Sequence, residues 1–253
     1  MITDWHFYLL AIPAVMANGM GKGGFSGMGS LSLPLMSLVV SPIQAVAITL
    51  PILMSQDVIS IWAYRRSFDR RTVVMALPGL MAGIVLGTLL ATKVTNEAVQ
   101  LLVGLIAACF SALSSMSAKK GEAPVIPSRG KIAFWSTIGG FTSFVANAGA
   151  PPMQVWIMPQ QLKPAAYAGS MSVMFGIVNW VKFLIFISLG QVTTPNLSTS
   201  LALMPVAVAS TFAGVWLVKH MSGAKFYPIV RIMTFLVGIK LIWDGATGIW
   251  GHP

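Results

Sequence analysis

Little in this chain can face water. Of its 253 residues 9% are charged and 56% apolar, and the mean hydropathy is +0.80. That polarity is too small to clothe an aqueous surface, so the solvent for most of the chain is lipid. Cysteine is nearly absent. Cys109 stands alone within an apolar run, which excludes an intrachain disulfide and a thiolate metal cluster and reads as helix packing. Acids are scarce too, six against sixteen Lys and Arg. The resulting charge of +10 would suggest nucleic acid in a soluble protein, but here the basic residues sit in short loops between apolar runs, so no nucleic-acid partner is expected. The three histidines, His6, His220 and His252, lie near termini or loops without zinc-site or catalytic spacing. Gly24-Phe-Ser-Gly27 resembles a nucleophile turn, yet no membrane histidine is available as its base. Neither an enzyme nor a cofactor is expected. No Lys or Arg precedes the first apolar stretch, so it lacks the basic region of a cleaved signal peptide and is expected to remain.

What is present is a series of apolar stretches, each long enough for a helix: Trp5 to Met20, Ile43 to Tyr64, Thr72 to Ala91, Glu97 to Ser117, Lys131 to Ala146, Pro164 to Leu189, Asn196 to Lys219 and Phe226 to Trp250. The fold class is an all-α polytopic membrane bundle of eight segments, with no soluble domain expected. Trp5, Trp62, Trp243 and Trp250 near segment ends fit an interfacial belt. Two segments are interrupted. The first runs through Gly21 to Gly29 into Ser30 to Val40, and the fifth through Asn147 to Pro152 into Met153 to Met158. Breaks at membrane depth leave backbone groups unpaired, so they must face protein or a wet cavity.

The halves echo each other. A shift of 122 places Ser41-Pro42 on Lys163-Pro164, Gly27-Met-Gly29 on Gly149-Ala-Pro151 and Asp57 on Asn179, while a shift of 127 places Leu77-Pro78 and Gly87 on Met204-Pro205 and Gly214. The division expected is residues 1–120 as one four-segment repeat, 121–130 as a cytoplasmic linker and 131–253 as a second repeat. Interrupted segments at matching positions point to a transporter binding site. If all eight segments cross, Arg65, Arg66, Arg70, Arg71, Lys119, Lys120, Arg129 and Lys131 face Lys93, Lys163, Lys219 and Lys225. If each broken segment re-enters, the last three join the basic side and only Lys93 opposes them. The positive-inside rule favours the second arrangement, with inverted repeats and both termini outside.

Charges at membrane depth cost at least ~2.5 kcal/mol on insertion scales, so each needs a reason. Lys240 and Asp244 form an i, i+4 pair, and Arg231 is placed to snorkel toward the basic end. Lys22 differs, because it sits inside the glycine break, where backbone N–H groups and an ammonium can converge on an anion. Gly23, Gly24, Ser26 and Gly27 accompany it, and Asn147, Ala148 and Gly149 present the matching end from the other half. Asp57 and Asn179 follow at matching positions, with Gln56 beside the first and Lys182 one turn beyond the second. Asp57 is either a proton-coupling acid or a fixed ion-pair partner of Lys22 or Lys182. Ser143, Gln154, Ser170 and Ser172 are candidates for the same cavity.

Several motifs together resemble the TauE/SafE family of sulfite and organosulfonate exporters, also called the toluene sulfonate uptake permease family. They are Gly19 to Gly29 with Pro34-Leu35, Leu50 to Leu53 with Asp57, Tyr64-Arg65 with Asp69, Gly140 to Pro152, Met158-Pro-Gln160, Tyr167-Ala-Gly169 and Asn179-Trp-Val-Lys182. The resemblance spans nearly the whole chain. It implies proton-driven movement of sulfite, sulfoacetate or a related sulfur anion across the bacterial inner membrane. The family's second-half motif often carries His before Ala-Gly-Gly-Pro-Pro, where this chain has Asn147 and, three residues on, Ala150. The expected partners are a small anion, protons and the bilayer, with a homodimer open. An anion channel or an uptake permease is the alternative within transport, and a scaffold without substrate the alternative outside it.

Overall fold

The computed structural model describes residues 2, 4–90, 93–116, 124–190 and 192–250, without the side chains of residues 42, 43, 114–116 and 250. Ala91, Ser117, Lys119, Lys120, residues 121–123 of the expected linker and His252 lie outside them. Among the described residues there are ten α-helices: α1 (Trp5–Gly23), α2 (Ser32–Ser37), α3 (Pro42–Tyr64), α4 (Arg70–Leu90), α5 (Asn96–Met116), α6 (Arg129–Ala146), α7 (Ala150–Ile157), α8 (Pro164–Ser188), α9 (Thr194–Lys219) and α10 (Gly223–Trp250). No strand occurs among the described residues. Six of the helices, α3, α4, α5, α8, α9 and α10, are long and apolar enough to cross a membrane. The eight apolar stretches fall on α1, α3 to α6 and α8 to α10.

The starts follow ordinary capping chemistry. Ser41, Ser128 and Thr193 accept backbone N–H groups from three residues on, and proline occupies the first turns of α3, α7, α8 and α9. The same tolerance corrects one expectation: α7 starts at Ala150 instead of after the prolines, because Pro151 and Pro152 fill a first turn whose N–H groups have no helical partner. The other short helix is also displaced, with a 3-10 turn over Met28–Leu31 before α2.

The breaks are set by backbone conformation. Gly24 at φ 137° stops α1, Gly27 at φ 114° precedes the turn that leads to α2, and Asn147 at φ 50° stops α6. A Cβ strains the first two, whereas asparagine tolerates the left-handed region.

Helices approach closely where side chains are smallest. A Cβ on Gly23 would lie 2.5 Å from Gly214 Cα, and one on Gly83 would lie 2.1 Å from the Thr137 carbonyl. Gly19 meets Ser210 and Gly23 meets Gly214, so α1 and α9 run parallel; Gly79 meets Ser136 and Gly87 meets Phe144, so α4 and α6 do too. α5 and α10 are antiparallel, since Gly104 meets Ile242 while Gly245 meets Leu101. Gly169 against Tyr64 and Gly176 against Ile61 make α3 and α8 antiparallel.

Both α1 and α3 start beside the start of α9: the Ile2 amide donates to Thr199 Oγ1 at 3.0 Å, and Gln44 Nε2 donates to Asn196 Oδ1 at 3.3 Å. The chain therefore turns back through α2 before α3 begins. At the opposite end, Tyr227 donates to the Leu162 carbonyl at 2.6 Å, Thr72 Oγ1 to Gln160 Oε1 at 3.4 Å and the Val125 amide to the Pro159 carbonyl at 3.0 Å. The starts of α4, α6, α8 and α10 are thus gathered there. Arg65, Arg66, Arg70, Arg71, Arg129, Lys131, Lys163, Lys219 and Lys225 lie at that end, and among the described residues Lys93 is the loop cation at the other.

Trp5, Trp62 and Trp243 are exposed, as a lipid-facing belt requires. Cys109 corrects its expectation: it points outward from α5 and does not pack between helices, because the contact face of α5 carries Val99, Val103 and Gly104 instead. Lys240 donates to Asp244 one turn on. Arg231 Nε is buried without a hydrogen-bond partner.

Candidate functional site

The two breaks meet. Between them lies a cavity of about 600 Å³, counting its open mouth. The first break contributes Gly21, Lys22, Ser26, Gly27, Gly29 and Ser30, with Asn18 one turn earlier on α1; the second contributes Asn147, Gly149 and Ala150, with Ser143 one turn earlier on α6. α3 adds Leu53, and α8 adds Met171, Ser172, Phe175 and Asn179.

Charge is concentrated on one wall. Lys22 Nζ lies 2.5 Å from Asp57 Oδ1, and its ammonium stands 5.8 Å from the centre of the Phe175 ring. Asp57 is fully buried, and its second carboxylate oxygen accepts from Asn179 Nδ2 at 2.7 Å. A buried carboxylate persists only when both oxygens are satisfied, which this arrangement achieves from two helices. Lys182 is also fully buried, and donates to the Ser143 carbonyl at 2.6 Å and to Asn147 Oδ1. It therefore ties α8 to the second break and does not line the cavity.

A second set of bonds supports the first break from behind. Gln154 Nε2 donates to the Ser26 carbonyl at 2.6 Å and lies 3.3 Å from Ser26 Oγ, while Thr234 Oγ1 donates to Gln154 Oε1 at 2.7 Å. Ser26 Oγ also lies 2.5 Å from the Tyr167 hydroxyl. Tyr64 donates to the Gly23 carbonyl at 2.5 Å, satisfying a group the end of α1 leaves free.

Of the residues expected from sequence, Lys22, Ser26, Gly27, Ser143, Ser172, Asn147, Gly149 and Asn179 line the cavity, and Asp57 lies directly behind Lys22. Gly23, Gly24, Ala148, Gln56, Gln154 and Lys182 do not line it. Gly23 and Gly24 are filled against α9, Ala148 packs with Val99 and Val103, and Gln56 Nε2 reaches the Val15 and Ala207 carbonyls at 3.4 and 3.5 Å. Ser170 accepts from the Asp69 amide at 2.9 Å, near the basic end. Asn18, Leu53, Met171, Phe175 and Thr234 were missed. Asn18 carries a readable signal, a polar residue one turn before Lys22 on the same helix face. The apolar lining carries none, because a cavity-facing and a lipid-facing Leu, Met or Phe look alike in sequence.

One ammonium, several hydroxyl and amide donors and a partly apolar wall suit a small anion with a short apolar part. Ser26 is held by Gln154 and Tyr167, and among the described residues no histidine or carboxylate bonds it.

A family model described as sulfite exporter TauE/SafE matches residues 11–241. No curated protein and no solved structure matches the chain. The matched span takes in both breaks and every residue lining the cavity between them, inside a bundle with six membrane-crossing helices: this multi-pass membrane protein belongs to the TauE/SafE family, a family of membrane transporters for sulfite and related sulfur anions.

Proposed function

We propose that the chain is a secondary transporter that exports sulfite, sulfoacetate or a similar organosulfonate across the bacterial inner membrane by alternating access, with proton coupling through Asp57. The observation that carries it is the placement of Lys22: its ammonium lines the cavity while its carboxylate partner, Asp57, lies behind it. An anion in the cavity and the Asp57 carboxylate compete for one cation. A proton on Asp57 removes the competitor, so proton and anion favour each other's binding, and linkage makes the effect reciprocal.

The architecture proposed is two inverted repeats, residues 1–120 and 131–253 joined by a cytoplasmic linker at 121–130, each opening with a re-entrant pair, α1 with α2 and α6 with α7. Three observations support it. The six helices apolar enough to cross are the six outside those pairs. Exchanging the halves maps the parallel contact of α1 with α9 onto that of α6 with α4. The loop cations gather at one end, which the positive-inside rule assigns to the cytoplasm.

With a monoanion such as bisulfite or a simple sulfonate one proton makes the cycle electroneutral, with a dianion such as sulfoacetate it moves one net negative charge, and in both cases the direction follows the combined gradients. Export runs where cytoplasmic anion is high. An acidic exterior favours inward movement at the same site, so an uptake permease is the second reading. Proteoliposomes test it: sulfite or sulfoacetate flux that responds to an imposed pH gradient is expected, electrogenic flux without pH response would indicate a channel, and absence of binding and flux would defeat the substrate assignment.

A further inference from the structure

Nothing in sequence marks Thr234, yet it is fully buried on α10 and bonded to Gln154, which bonds Ser26 on the cavity wall. The direction of these bonds follows from chemistry. A carbonyl only accepts, so the Gln154 group 2.6 Å from the Ser26 carbonyl is its NH2. The Gln154 oxygen therefore faces Thr234 and needs that hydroxyl proton, since the other acceptor in reach, the Val230 carbonyl, already serves the α10 ladder. The second Gln154 N–H points at Ser26 Oγ, 3.3 Å away. Tyr167, fully buried, finds its acceptor in the same Oγ, because a phenol proton left unpaired there is costly. Ser26 Oγ thus accepts twice, and its own proton is left for the cavity. Glycine at position 27 lets the relay sit this close, as a Cβ there would lie 3.0 Å from Thr234 Oγ1 and 3.3 Å from Gln154 Nε2.

We propose that Thr234, Gln154 and Tyr167 are positioning residues that fix Ser26 as a hydrogen-bond donor into the cavity, so that the site selects a bare anionic oxygen and rejects a ligand presenting its own N–H or O–H donor. The inference rests on the anion reading of the cavity and adds how it tells an ionised sulfonate from its neutral isostere. A donor pointed at a donor leaves both unpaired.

The test is equilibrium binding of methanesulfonate and methanesulfonamide to the purified full-length chain. Wild type should bind the sulfonate at least about ten-fold more tightly than the sulfonamide. Thr234→Val leaves the Gln154 oxygen without its donor, so the amide can turn that oxygen toward Ser26 and take the Ser26 proton; the preference should shrink about ten-fold, while Thr234→Ser restores it. Tyr167→Phe removes one of the two bonds that hold Ser26 Oγ as an acceptor and should weaken sulfonate binding by more than about two-fold. A Thr234→Val protein with wild-type preference, a Thr234→Ser protein no better than Val, or tighter sulfonate binding by Tyr167→Phe, which would mean that Ser26 spends its proton on Tyr167, each overturns the relay. A wild-type chain that binds no sulfonate or sulfite overturns the anion reading beneath it.

Discussion

Lys182 donates to Asn147, thirty-five residues earlier in the chain, and Lys22 donates to Asp57, thirty-five residues later. The two contacts occupy equivalent places in the halves, each joining a break to the long helix that follows. Their polarity is reversed. In the first half the break carries the cation and the helix the acid; in the second the helix carries the cation and the break a neutral amide. Lys22 thus remains on the cavity wall, whereas Lys182 is spent on the Ser143 carbonyl and Asn147, and on the proposed function this asymmetry sets which lysine an anion would meet.

Replacing Lys22 by Met should lower anion affinity at least about ten-fold, the value of a charge-assisted hydrogen bond. It also strands the Asp57 carboxylate with Asn179 alone, which costs about 3–5 kcal/mol while Asp57 is ionised. Thermal unfolding in detergent should show Lys22→Met less stable than wild type and improving as pH falls, with Lys22→Met/Asp57→Asn recovering most of the loss at neutral pH. A single variant as stable as wild type across pH would remove the ion pair from the account.

Asp57→Asn should retain anion binding, because Lys22 loses its competitor, but flatten the pH dependence of flux. The check is sulfite flux in proteoliposomes at matched and opposed pH. Unchanged pH coupling in this variant would show that another group carries the proton.

Gly83→Val should unseat α4 from α6. The added side chain enters space where a Cβ would already be 2.1 Å from the Thr137 carbonyl and 2.6 Å from the Phe141 amide, so backbone must move. Overpacking of this kind costs about 1–3 kcal/mol or more. Gly130→Ala, with nothing near its Cβ position, is the control that should not lower the unfolding temperature.

Sidedness is checked with Cys109 replaced and single cysteines placed at Arg66, Lys225 and Thr95. Impermeant maleimide should reach the first two from one side of the membrane and the third from the other. Labelling of Arg66 and Lys225 positions from opposite faces would refute the re-entrant arrangement.

The membrane class, the helix positions and the two breaks were legible from sequence because they rest on local chemistry. Twenty apolar residues need lipid wherever they lie, and Gly21 to Gly29 or Asn147 to Pro152 interrupt a helix through their own φ preferences and missing N–H groups. Lys22 and Asp57 stood out because a charge in such surroundings demands a partner. Tertiary contact decided the remainder. Only packing revealed that Asp57 takes Lys22 and Asn179 together, that Lys182 is turned away from the cavity, that Gln154 supports Ser26 from behind, and that Thr234, an ordinary helix residue to the eye, bonds Gln154. The sequence by itself determined which groups must be satisfied inside lipid; the fold alone decided which partner satisfies each, since a hydrogen bond depends on direction and distance between segments far apart in the chain.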